Sequence, residues 1–125
     1  MAHGSDGALM TALTQLCAAV LRTIKALPKT TSTRKPSIAL VRASTSAAIA
    51  FDQSRRQERE SSRVELLVRA AKDVAEVSAW LSHVAALEET VDLPVIATLL
   101  GETEAVLAAL AARLVGEPEA RDIAA

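Results

Sequence analysis

Residues 61–89 read SSRVELLVRAAKDVAEVSAWLSHVAALEE and lie inside the longest part of the chain that has neither glycine nor proline. At 100° per residue, one set of side chains falls on a single side of a helix and forms the stripe that a core-facing helix needs. This set is Leu67, Ala71, Val74, Ser78, Leu81 and Ala85. The stretch therefore predicts a long amphipathic helix, and the rest of the chain is interpreted around it.

A second apolar stripe lies beside the first and is rotated from it. Its members are Leu66, Val77, Trp80, Val84 and, at the edge, Leu87. A helix that is apolar over half its surface must meet either two neighbouring helices or another subunit, because large exposed apolar patches are rare on soluble monomers. We interpret the second stripe as an oligomer contact with Trp80 as its anchor. The alternative places the Trp80 ring across a groove between two helices of its own bundle.

The composition favours one all-helical domain. The chain has 125 residues, half of them hydrophobic, with one Trp, one Phe and no Tyr. Strand-forming residues do not cluster in alternating runs. No uninterrupted apolar run approaches the roughly 18 residues of a membrane span, residues 1–7 lack the features of a signal peptide, and Cys17 has no disulfide partner. We expect a cytoplasmic protein without a membrane segment.

Two further helices are predicted before residue 61. The first runs from Asp6 or Gly7 to Leu27, after a flexible lead at residues 1–7. The second begins between residues 33 and 36, with proline in its first turn. Its inner face consists mostly of small residues, and a weaker apolar strip with Ile38 and Ile49 lies on another side. That strip either meets a neighbouring subunit or is partly exposed.

The third and fourth helices have their own boundary signals. Ser62 and Glu65 match a capping box and place the start of the third helix, which is predicted to end at residues 88–90. Asp92 is suited to cap the fourth helix, and Pro94 fits its first turn. Gly116 is the predicted left-handed exit.

Four helices with short connections predict an all-α, antiparallel up-down-up-down four-helix bundle over residues 8–116. Residues 117–125 are expected to form a short, frayed acidic tail.

The net charge of −1 conceals a segregation of charge along the chain. Residues 22–72 contain twelve Lys or Arg and four acids, whereas residues 73–125 contain two Arg and ten acids. Basic residues would cluster at both ends of the bundle, where they are candidates for contact with a nucleic-acid phosphate backbone. The candidates are Lys29, Arg34, Lys35, Arg42, Arg55, Arg56, Arg59 and Arg63. The alternative is that these charges solvate loops or pair with an acidic helix of a neighbouring subunit.

Motifs for catalysis and metal binding are missing from the sequence. It contains no Walker loop, no Gly-x-Gly-x-x-Gly and no Glu-x-x-His pair of a di-iron bundle. His3 and His83 are far apart in sequence, and we interpret His83 as a surface residue. We expect no catalytic residue, no cofactor and no metal, and hence a protein that is not an enzyme.

Several small and basic positions resemble the pattern of a bacterial four-helix-bundle family. The family includes proteins encoded by intervening sequences of ribosomal RNA genes and the accessory variability determinant (Avd) of diversity-generating retroelements. The positions are Arg42, Ala43, Ser46, the small residues to Ala50, Arg55, Arg56, Leu67, Ala70, Ala75 and Glu76, with Leu27, Pro28 and Lys29 at the end of the first helix.

This resemblance implies a function as well as a fold. Members of the family form ring-shaped homopentamers, and the retroelement members partner a reverse transcriptase and bind nucleic acid. The resemblance therefore implies a non-enzymatic, pentameric accessory protein that contacts RNA or DNA and a reverse transcriptase. The competing hypothesis is a structural or scaffold bundle with no nucleic-acid role.

Overall fold

The computed structural model describes residues 2–87 and 91–117, which form four helices and no strand. The helices are α1 (Ala2–Ala26), α2 (Thr31–Arg55), α3 (Glu60–Ala85) and α4 (Leu93–Val115). In the described residues, the backbone of each helix approaches those of the two beside it, in the order α1, α2, α3, α4 and back to α1, and no such approach joins diagonal helices. The predicted all-α, antiparallel up-down-up-down bundle is confirmed.

From Leu67 onwards the buried positions of α3 alternate in steps of three and four residues. They are Leu67, Ala70, Val74, Val77, Leu81 and Val84, and Val64 is buried three residues before the first of them. The same alternation continues in α4 at Ile96, Leu99, Thr103, Val106 and Leu110. This spacing is typical of helices that cross at a shallow angle, with the side chains of one helix inserted between those of its neighbours.

The buried side chains of α3 lie between the two predicted stripes. This position corrects part of the predicted oligomer contact. Val77 and Val84 are 0% exposed within the single chain. Leu66 and Trp80 are partly buried and pack against the two halves of its own core. Since α3 lies between α2 and α4, both stripes meet internal neighbours. The prediction that Val77 and Val84 contact another subunit is therefore wrong.

Small residues bring α2 and α3 together. Ala39, Ala43, Ala47 and Ala50 are all buried on α2, which contacts α3 more extensively than any other pair of helices does. The absence of bulky side chains lets the two helix axes approach closely. The Phe51 side chain is fully buried in the half of the core that also contains Leu13, Leu67 and Leu110.

Three buried hydroxyl groups in the helix interiors donate to carbonyl oxygens of their own helices. Thr23, Ser44 and Thr103 donate to the carbonyls four residues earlier at 2.8, 2.8 and 2.7 Å. No buried side-chain nitrogen or oxygen in the described residues is left without a partner. The core therefore contains polar groups without the penalty of unsatisfied ones.

The first two helices begin earlier than the sequence predicts. The α1 helix starts at Ala2, so the predicted flexible lead is helical from its second residue. Glycine near an exposed helix end costs only about 1 kcal/mol, and Asp6 is joined to Arg113 of α4 at 2.8 Å. The α2 helix starts at Thr31, which places Pro36 beyond the first turn.

The boundaries of α3 and α4 were predicted with mixed success. The predicted capping box at Ser62 and Glu65 is wrong, since α3 begins at Glu60 with Arg59 as its N-cap. The α3 helix ends at Ala85, and residues 88–90, where its end was predicted, lie outside the described residues. Asp92 is confirmed as the cap of α4, because the Val95 N–H donates to its carboxylate at 3.2 Å.

The end of α4 also differs from the prediction. Gly116 has a φ of −68°, so the left-handed exit predicted there is wrong. Glu117 is 4% exposed and belongs to the bundle rather than to a frayed tail. Residues 118–125, the remainder of the predicted tail, lie outside the described residues.

Candidate functional site

The basic end formed by the α1–α2 connection contains Lys29, Arg34 and Lys35. Lys29 Nζ donates at 3.1 Å to the carbonyl of Ile24 near the end of α1, an oxygen that also accepts from the Leu27 N–H. Arg34 and Lys35 are exposed and form no ion pair within the described residues. Two of the three predicted cations at this end are therefore available to a partner.

The opposite end carries the basic residues around the α2–α3 connection. Arg55 and Arg59 are exposed and, in the part of the chain that is described, take part in no ion pair. Arg56 pairs with Asp52 one turn earlier at 3.0 Å, an exposed pair whose contribution to stability is small. The two clusters lie at opposite ends of the bundle because the connections that carry them do.

Arg63 has a structural role that the sequence did not predict. Its guanidinium donates to the carbonyls of Gln57 and Glu58 at 3.3 and 2.8 Å. It also donates to both carboxylate oxygens of Glu117, each at 3.4 Å. Four acceptors already surround this side chain, so Arg63 holds the α2–α3 loop and the end of α4 and is a weak candidate for phosphate contact.

Arg113 connects Glu117 to Asp6 at the start of α1. Its Nε donates to Asp6 at 2.8 Å and its Nη1 to Glu117 at 2.7 Å. Burial raises the pKa of the Glu117 carboxyl, but hydrogen bonds and charges from Arg113 and Arg63 lower it more, so the pKa lies below its ordinary value. We call Asp6, Arg63, Arg113 and Glu117 the end network, which joins three helices and a loop.

Only one contact of the end network, between Arg113 and Glu117, is predictable from the sequence. Arg113 and Glu117 are four residues apart, a spacing that brings side chains together on a helix. The Asp6–Arg113 and Arg63–Glu117 contacts join residues separated by 107 and 54 positions. No local pattern identifies such partners, because they meet only when the bundle closes.

The outer surface of α2 carries aliphatic and basic side chains together. Ile38 and Ile49 are 59% and 53% exposed, so the predicted second strip of α2 is on the surface. Arg42 lies between them, is exposed and has no ion-pair partner among the described side chains. This surface is the part of the predicted oligomer contact that the single chain leaves uncovered.

Trp80 is partly buried against its own bundle. The ring packs on the half of the core that contains Val77, Leu81 and Val84. Its Nε1–H donates to Glu76 at 3.4 Å, and its ring meets His83 edge to face at a centroid distance of 5.5 Å. His83 is exposed, as predicted.

Cys17 is half-buried between α1 and α2. Its Sγ donates to the carbonyl of Ser44 at 3.2 Å, and burial raises the pKa of the thiol. A raised pKa leaves less of the nucleophilic thiolate at neutral pH. In residues 2–87 and 91–117, no group of three or more His, Cys, Asp or Glu side chains is arranged to hold a metal ion.

The helices α1 and α4 are strongly apolar, although only a small share of each is buried in the bundle. By length and composition alone, residues 6–26 and 93–115 are both able to cross a membrane. Only 28% of the most apolar window of each is buried in the bundle. These two helices are neighbours, so the molecule has one apolar flank beside a more polar α2–α3 flank.

Neither protein-family models, curated proteins nor solved structures gave a match to the chain.

Proposed function

We propose that this chain is a non-enzymatic, self-associating helical accessory protein that contacts the phosphate backbone of nucleic acid through its two basic ends. The proposal rests on five of the predicted phosphate-contacting residues, whose side chains are exposed and have no ion pair in the described chain. They are Arg34 and Lys35 near one end, Arg55 and Arg59 near the other, and Arg42 on the outer surface of α2 between them. A pentameric ring and a reverse transcriptase as protein partner are proposed on the resemblance to the retroelement accessory proteins.

The chemistry of these surfaces favours the phosphate backbone over the bases. The chain has a single Trp, one buried Phe and no Tyr. Phe51 is buried and Trp80 packs on its own core, so neither ring stands beside the cations as a platform for base stacking. Binding is therefore expected to be sensitive to salt and nearly independent of sequence.

A salt series with matched variants tests this proposal. For a DNA duplex, the logarithm of the association constant should fall with the logarithm of salt concentration, by about 0.9 for each phosphate contact. Neutralising Arg34 and Lys35 together, as Arg34→Gln/Lys35→Gln, should reduce that slope by about 2. Fluorescence anisotropy with a labelled duplex and a labelled RNA hairpin measures both constants.

The control removes two exposed cations from the middle of α3. Arg69→Gln/Lys72→Gln changes the net charge equally but leaves both ends intact. An equal loss of slope in the control would assign binding to net charge alone and contradict the two-end interface. If the parent protein binds neither nucleic acid at low ionic strength, the scaffold hypothesis replaces this one.

A further inference from the structure

The seam between α1 and α4 is the most open of the four helix contacts. These two helices share the least contact of any neighbouring pair. Two hollows of about 340 and 410 Å³ lie along the seam. Much of their lining is alanine, including Ala12, Ala19, Ala105 and Ala109, which leaves room for larger side chains from outside. We call this surface the α1–α4 groove.

The outer surface of α2 carries two exposed isoleucines with a spacing similar to that of the hollows. Ile38 and Ile49 project on the same side of the helix, about three turns or roughly 16 Å apart along its axis. On α1 and α4, the centres of the two hollows are roughly nine to eleven residues apart, or about 13–17 Å. The spacing of the two isoleucines therefore matches the spacing of the two hollows.

The α1–α4 groove and the outer surface of α2 also carry opposite charges at corresponding positions. Glu102 lines both hollows and so lies between them. Arg42 lies between the two isoleucines, and the only acid on α2 is Asp52. Neither Arg42 nor Glu102 has an ion-pair partner in the described part of its own chain. A second copy presenting α2 to the groove would place opposite charges together.

We infer that α2 of one copy docks in the α1–α4 groove of the next copy, with Ile38 and Ile49 in the hollows and Arg42 beside Glu102. This inference builds on the self-association in the proposed function and names its contact surfaces. The helices α2 and α4 occupy opposite corners of the bundle. Each copy can therefore insert its α2 into the groove of one neighbour while its own α1–α4 groove binds α2 of another. Such a head-to-tail contact produces rings or filaments rather than a two-fold dimer.

The arrangement also separates two roles of the basic residues. Arg42 is covered in the assembly and leaves the set of nucleic-acid candidates. Arg34, Lys35, Arg55 and Arg59 are near the ends of the helices. They stay accessible on both rims of the assembly.

A charge swap tests the contact. Arg42→Glu and Glu102→Arg should each raise the dissociation constant of the assembly at least tenfold, measured by light scattering over a dilution series. Combining them as Arg42→Glu/Glu102→Arg should restore assembly, because every contact then contains one reversed pair. Mixing the two single variants should restore only the contacts between unlike copies, so a ring of five copies, in which the two cannot alternate throughout, should recover in part. All of these positions are exposed, so circular dichroism should show unchanged helix content.

Two further variants complete the design. Ile38→Ser/Ile49→Ser should weaken assembly at least as much as either charge reversal. Glu104→Arg is the matched control, because it is two residues from Glu102 but lines neither hollow. It should assemble like the parent protein.

Each contrary outcome has a separate meaning. If the parent assembles and neither charge reversal weakens it, the assigned contact is wrong while self-association stands. A double swap that fails to restore assembly also overturns the pairing of Arg42 with Glu102. A parent that stays a single chain at every concentration overturns both this contact and the self-association in the proposed function. Sedimentation of the unassembled parent with phosphatidylcholine vesicles would assign the apolar flank to a membrane and overturn the inference.

Discussion

Phe51→Ala is expected to lower the free energy of unfolding by about 3–5 kcal/mol. Phe51 is 0% exposed and is the only phenylalanine of the chain. Leu40, the other large core side chain of α2, lies in the other half of the core, and the α2 residues around Phe51 in its own half are alanines, so no large neighbour on the same helix can fill the space that the ring leaves. The measurement is denaturant unfolding followed by far-ultraviolet circular dichroism at one fixed protein concentration, because self-association adds to apparent stability.

The control for this substitution removes an aliphatic side chain from the surface. Val115→Ala, at a position 63% exposed, should change the free energy of unfolding by at most about 0.5 kcal/mol. A cost below about 1 kcal/mol for Phe51→Ala would contradict the described core.

Glu117→Gln is expected to destabilise the protein by about 2 kcal/mol at neutral pH, because Arg63 and Arg113 both lose a charged acceptor. The effect should depend on pH with a defined sign. The pKa of Glu117 is lower in the folded protein than in the unfolded chain. Its contribution is therefore complete above the ordinary Glu pKa of about 4.3 and is lost as pH falls through the lower folded value.

Unfolding curves of parent and variant across the acid range measure this contribution. The difference in stability should be constant from pH 7 to about pH 5 and shrink at lower pH as the parent carboxylate is protonated. Glu104→Gln, an exposed change without an ion pair in the described chain, should show no such difference. A difference that persists undiminished at the lowest pH would contradict the ionised role of Glu117.

The fold was predictable because its signals are local and repeated. Apolar residues recur at helical spacing in all four segments, and Pro28 and Asp92 mark breaks between them. Which side of α3 faces the core was harder to predict. An ideal helical wheel divided α3 into two stripes, whereas the core follows the alternation of three and four residues that a bundle with shallow crossing angles imposes.

The error over Val77 and Val84 has the same origin. The sequence shows how much of a helix surface is apolar, but not how many neighbours share it. In this bundle α3 contacts both α2 and α4, so residues of both stripes pack against its own core, with Val77 and Val84 fully buried. The surplus apolar surface is instead on α1 and α4, where alanine made the excess less conspicuous than a stripe of Leu, Val and Trp.

The candidate site was predictable only in part. Exposure of Arg34, Lys35, Arg55 and Arg59 followed from polar surroundings and proximity to loops. The ion pair between Arg63 and Glu117 could not be predicted, because it forms only when the start of α3 and the end of α4 meet. Likewise, the match between the α2 surface and the α1–α4 groove depends on the spacing of hollows between helices that are distant in sequence.

The proposed self-association is measured by multi-angle light scattering over a wide range of protein concentrations. We expect a particle several times heavier than the 13.1 kDa of one chain, with five copies the number that the family resemblance implies. A mass of one chain at every concentration would contradict it.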